Sequence, residues 1–157
     1  MSTVGASPYL RRFAIVAAKF NQAIVDRLVE GCLAAFRDHG VKDEAIDLVR
    51  VPGSFELPLV CQRLAAGGAY SAVIALGAVI RGDTDHYDYI CRAATDGLLQ
   101  AGLTTGVPVI FGVLTCQTEQ LALDRAGGKE GNKGNDAALA ALEMANLFTR
   151  LARRPNS

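Results

Sequence analysis

Within five positions the chain places Gly82, Asp83, Thr84, Asp85 and His86, one of its two histidines, one residue beyond the apolar run AVIALGAVI. Those residue types suit an oxyanion and a proton transfer. If a helix starts here, its unpaired amide N–H groups and the positive end of its dipole form a seat for an anion such as phosphate. Two carboxylates beside an anion are unfavourable, so the phosphate would be held by backbone amides and Thr84, with Asp83 and Asp85 turned away. An imidazole suits a general acid or base, so His86 is the candidate for that role, which contributes on the order of 10²–10⁴ in rate. Without a ligand, the same residues read as a capped helix start and a surface histidine.

Three further clusters have the same double reading. Ser54, Phe55 and Glu56 in VPGSFELP put a carboxylate near exposed amides, where it can orient a polar ligand or merely belong to a helix cap. Phe20 and Asn21 can stack on and hydrogen-bond a heterocycle, or cover a sheet end and cap a helix. In LDRAGGKEGNKGND, Arg125 is the candidate for a two-pronged grip on phosphate, whereas Lys129 reads as a solvated hinge residue. That segment is not a Walker loop, because Gly-Lys-Ser/Thr at the proper offset is missing. His39, beside Gly40, reads as a helix C-terminal residue.

The elements that must position these clusters follow from hydrophobic period. Nearly continuous apolar runs at 12–18, 46–51, 72–80 and 108–115 read as strands covered on both faces. Helical segments at about 23–38, 54–66, 85–101, 118–126 and 135–153 alternate with them, with Asn21 and Ser54 as expected caps and GGKEGNKG as a glycine-dense break. The pattern predicts an α/β fold, a three-layer α/β/α sandwich on a four-stranded parallel sheet. Such sheets bind ligands at the carboxyl ends of their strands, where the polar clusters fall.

Composition narrows the function class. The chain has 157 residues, 16 basic and 16 acidic, and is half hydrophobic, consistent with one domain over 1–157. No basic run suggests a nucleic-acid or membrane partner. The N-terminal residues lack a signal-peptide core and no run approaches the ~20 residues that span a bilayer, so a cytoplasmic location is expected. Cys32, Cys61, Cys91 and Cys116 show neither C-x-x-C spacing nor neighbouring histidines, so buried reduced thiols are expected and no metal site.

Taken in order, FN, VPGSFELP, ALGAVIRGDTDHYDYI, PVIFGVLT, DRAG and GNKGNDAA resemble the lumazine synthase family over about residues 12–150, with residues 1–11 as an N-terminal extension. The resemblance implies a flavodoxin-like fold and condensation of 5-amino-6-(D-ribitylamino)uracil with 3,4-dihydroxy-2-butanone 4-phosphate, without metal or organic cofactor. It implies that Phe20 stacks on the pyrimidine, with Asn21 beside it. Ser54, Phe55 and Glu56, helped by Ala78, Val79 and Ile80, would hold the ribityl chain and ring edge. Gly82, Asp83 and Thr84, with Arg125, would receive the phosphate, and His86 would move protons. Phe111 matches a residue that reaches the site from an adjacent subunit, and Lys133 a basic residue near it. Asp83 and Asp85 stand at positions often neutral in such proteins, which implies weakened phosphate affinity.

The resemblance further implies a homo-pentamer with sites between neighbours. The short GGKEGNKG link is similar to that of members that close twelve pentamers into a sixty-subunit shell, with riboflavin synthase as a partner. Two other classes compete: a flavin-binding module, which would want a Ser/Thr-rich loop where this chain has AKFNQ, and a shell protein without a working site.

Overall fold

The computed structural model describes residues 11–153. The expected N-terminal extension therefore lies almost wholly outside the described residues. Four runs rich in Ala, Val, Ile and Leu form β1 (Phe13–Ala18), β2 (Ile46–Val51), β3 (Ala72–Ile80) and β4 (Val109–Cys116). All pairings are parallel, in the order β2-β1-β3-β4. The continuous apolar character has a direct cause, since every residue of β1 and all but the last of β3 are buried.

Alternate side chains of the sheet enter two cores. Phe13, Ile15 and Ala17 face a layer containing α1 (Gln22–Asp38) and α5 (Lys133–Ala152), with the short α4 (Glu119–Asp124) at its side. Ala14, Val16 and Ala18 face α2 (Leu57–Ala66) and α3 (His86–Thr105). Each fully buried Ile or Leu in these layers contributes about 1.5–3 kcal/mol. The result is the expected three-layer α/β/α sandwich. Of the four cysteines, all free, Cys32, Cys61 and Cys116 are buried and Cys91 is half-buried. Burial pushes the Cys32 and Cys61 thiols up to about 12, which leaves them unreactive near neutrality.

Several local expectations are corrected. Asn21 stands at the N-cap position of α1, but its side chain makes no capping bond: it adopts a left-handed conformation (φ 60°), and its Nδ2 donates to the Ala78 carbonyl oxygen at 2.7 Å. The β1–α1 turn is thereby fastened to the end of β3. Ser54 does not cap α2; it opens a 3-10 turn, Ser54–Glu56, and α2 starts at Leu57. Helix α3 continues past the expected residue 101 to Thr105, where Gly106 (φ 72°) supplies the left-handed stop.

The glycine-dense break also has more structure than expected. It folds into a small antiparallel hairpin, β5 (Ala126–Gly128) with β6 (Gly131–Asn132). Helix α5 then starts two residues before the expected position, because Asn132 Oδ1 accepts the amides of Gly134 (2.8 Å) and Asn135 (3.1 Å). Asn132 Nδ2 donates to the Arg27 carbonyl oxygen at 3.1 Å, so one side chain both caps α5 and ties it to α1. The crossing is tight enough that a Cβ on Gly134 would overlap the Leu28 carbonyl.

Candidate active site

The carboxyl ends of β1, β2 and β3 surround a cavity of about 490 Å³, within the range that holds a small-molecule ligand. One wall is Phe20 and Asn21, just after β1; another is the turn Ser54, Phe55 and Glu56 after β2. The floor is Ala78, Val79 and Ile80, and the far rim carries Gly82, Thr84 and His86. Eleven of the expected site residues thus meet in one place. Ser54 is buried because Gly77, facing it, has no side chain: a Cβ there would come within 2.5 Å of Ser54 Oγ.

Phe20 and Phe55 are 72% and 59% exposed in the single chain. Rings this bare at a cavity mouth offer stacking surface to a flat ligand or to a neighbouring copy. On the rim, α3 starts at His86, and the His86 amide donates to Thr84 Oγ1 at 3.3 Å. Among the described residues, no hydrogen bond within the chain engages the amides of residues 82–85. That is the arrangement an oxyanion needs. Asp83 and Asp85 are exposed, Asp83 does not line the cavity, and Asp85 makes no side-chain capping bond.

Phe111, Arg125 and Lys133 are not brought to this cavity within one chain. They line a separate depression of about 410 Å³ against β4, together with Glu130 and Asp136. Arg125 ends α4, its Nη1 donating to the Leu121 carbonyl oxygen at 2.9 Å. The hairpin clasps this corner: Lys133 N donates to the Arg125 carbonyl oxygen and Glu130 N to that of Asp124, both at 2.8 Å. Asp124, buried, accepts from Gln120 Nε2 at 2.8 Å and sits 3.8 Å from Lys129 Nζ. Arg125 and Lys133 are thus held side by side, away from Thr84.

Sequence reasoning missed Tyr87 and Ile90 in the first cavity and Glu130 and Asp136 in the second. Helical spacing carries a signal for two of them. Ile90 lies four positions after His86, and Asp136 three after Lys133, so each falls on the same helix face as its partner. Among the described residues no group of three or more His, Cys, Asp or Glu side chains is arranged to hold a metal ion, and no helix is long and apolar enough to cross a membrane.

Comparison with known proteins agrees with the geometry. The family described as 6,7-dimethyl-8-ribityllumazine synthase matches residues 11–149. The 6,7-dimethyl-8-ribityllumazine synthase of Halorhodospira halophila is 57% identical over 140 residues, covering 89% of this chain and 90% of that protein. The protein of the same name from Deinococcus radiodurans is 56% identical over 142 residues, 90% of this chain and 92% of its own length. A chloroplastic one from Arabidopsis thaliana is 52% identical over 137 residues, 87% of this chain and 60% of its own length.

Proposed function

Because the chain belongs to the 6,7-dimethyl-8-ribityllumazine synthase family, we propose that it condenses 5-amino-6-(D-ribitylamino)uracil with 3,4-dihydroxy-2-butanone 4-phosphate. The products are 6,7-dimethyl-8-ribityllumazine, inorganic phosphate and two waters. One observation carries this reading: a cavity with stacking rings and Glu56 on one side faces free amides and a histidine on the other. Phe20 stacks on the pyrimidine beside Asn21. Ser54, Phe55 and Glu56 bind the ribityl chain and ring edge over the floor of Ala78, Val79 and Ile80. The amides of Gly82, Asp83 and Thr84 hold the phosphate.

The pyrimidine amine attacks the ketone, water leaves as the imine forms, phosphate is eliminated, and ring closure expels the second water. Every step moves a proton, and His86 at the rim is the group that carries it. Both reactants are intrinsically reactive, so holding them aligned supplies the larger share, up to ~7–11 kcal/mol in favourable cases. The test is to mix protein with both substrates and follow the fluorescence of the lumazine; a binding module or inert shell protein gives only the spontaneous rate. His86→Ala lowers kcat by about 10- to 100-fold with little change in either KM. An unchanged kcat would remove His86 from the chemistry.

Phe111, Arg125 and Lys133 complete the site from a neighbouring copy, which accounts for their separation from the cavity in one chain. Head-to-tail contacts of this kind close into a ring, here a homo-pentamer, and twelve rings close into the sixty-subunit shell that riboflavin synthase would partner. Free cysteines suit the reducing cytoplasm as its location. Sedimentation velocity is expected to show one large particle; a species no bigger than a pentamer would refute the shell, and a monomer the ring.

A further inference from the structure

The loop that carries the phosphate amides hangs between the end of β3 and the first turn of α3, and Arg81 joins those two points. Its amide donates to the Cys116 carbonyl oxygen at 3.0 Å, carrying the β3–β4 ladder one residue past Ile80. Its guanidinium then crosses to α3. Nη2 donates to Asp88 Oδ1 at 3.0 Å, and the guanidinium carbon lies 4.6 Å from the centre of the Tyr87 ring. Tyr87 in turn packs, half-buried, against the core beneath α3.

Residues 82–85 are exposed and, within the chain, the Thr84 contact with the His86 amide is the one side-chain hydrogen bond among the described residues that closes over them. Their shape therefore depends on what fixes residues 81 and 87–88. The charges matter as well. Asp88 sits in the first turn of α3, at the helix end that offers its amides to an anion. Paired with Arg81 it is neutralised; alone, it would leave a negative charge in the first turn of the helix whose amides face the anion.

We propose that Arg81 is a positioning residue for the phosphate end of the reaction: it ties the two ends of residues 82–86 together and cancels the charge of Asp88 in the first turn of α3. This rests on the function proposed above. Arg81 touches no reacting atom in this account, and it does not line the substrate cavity. The ion pair is partly exposed, at 37% and 49% for its two side chains, so its loss should leave the fold standing.

The experiment compares wild type, Arg81→Gln, Arg81→Lys and Arg81→Gln/Asp88→Asn by steady-state kinetics, with inorganic phosphate as the probe inhibitor and thermal melting as the check on folding. Arg81→Gln is expected to raise both the KM for the phosphorylated ketone and the Ki for inorganic phosphate by about 5- to 20-fold, leaving the pyrimidine KM within about twofold. Adding Asp88→Asn removes the stray charge and recovers part of that loss; Arg81→Lys recovers more. A folded Arg81→Gln with unchanged ketone KM overturns the inference. So does an equal rise in both KM values with a lowered melting temperature, which is the signature of a merely structural residue. A wild-type protein that makes no lumazine overturns the function itself and not this inference alone.

Discussion

Arg125→Ala is expected to raise the KM for 3,4-dihydroxy-2-butanone 4-phosphate by about 30- to 150-fold, the equivalent of about 2–3 kcal/mol for a charge-assisted pair with phosphate. The pyrimidine KM should move by less than about threefold, because Phe20, Ser54, Phe55 and Glu56, the proposed ring and ribityl contacts, lie in a different cavity. Arg125 is well prepared for the role: Leu121 fixes one arm of the guanidinium, and the hairpin bond from Lys133 N to its carbonyl fixes its backbone. Arg125→Lys keeps the charge but loses the fork, and should fall between the two. Steady-state kinetics with each substrate varied in turn checks this. Equal effects on both KM values would show that Arg125 supports the assembly and not the phosphate.

Gly134→Ala is expected to destabilise the protein by about 3 kcal/mol, at the upper end of overpacking costs. The added methyl group meets the backbone of Leu28, not a side chain that can rotate away. To admit it, α5 must slide off α1, and sliding strains the Asn132 bonds to Arg27, Gly134 and Asn135. At about 2–4 °C per kcal/mol for a chain of this size, the melting temperature should fall by roughly 6–12 °C. Gly67→Ala is the control: Gly67 has φ −70° and an added Cβ meets nothing closer than 3.5 Å, so stability should hold or rise slightly. Equal melting temperatures for the two variants would show that the α1–α5 contact yields freely.

The strands were legible in the sequence because burial on both faces turns them into unbroken apolar runs, and the observed bounds of all four differ by at most one residue from those expected. The cavity was legible for a related reason, since Phe20, Ser54 and Gly82 each follow the end of a strand. What was illegible depends on contacts distant in sequence. Ser54 has the local preference of a cap, but the missing side chain at Gly77 draws it into the interior. Asn21 likewise gives up capping for the Ala78 carbonyl. Local propensity cannot see either partner. Arg81 escaped notice because a basic residue after a strand looks like surface charge until Tyr87 and Asp88 are seen under it. Nor can chain order reveal that Arg125 and Thr84 line different hollows of one chain.

Subunit complementation tests most directly whether one copy's cavity is completed by another's Phe111, Arg125 and Lys133. One variant carries Phe20→Ala with His86→Ala, the other Arg125→Ala, and each is assayed alone at low ketone concentration, where both should be nearly silent. Co-expressed in equal amounts, random rings contain about one site in four built from the two intact halves. About a quarter of the wild-type rate should return. A mixture no more active than the sum of its separate components would show that each site is built within one chain.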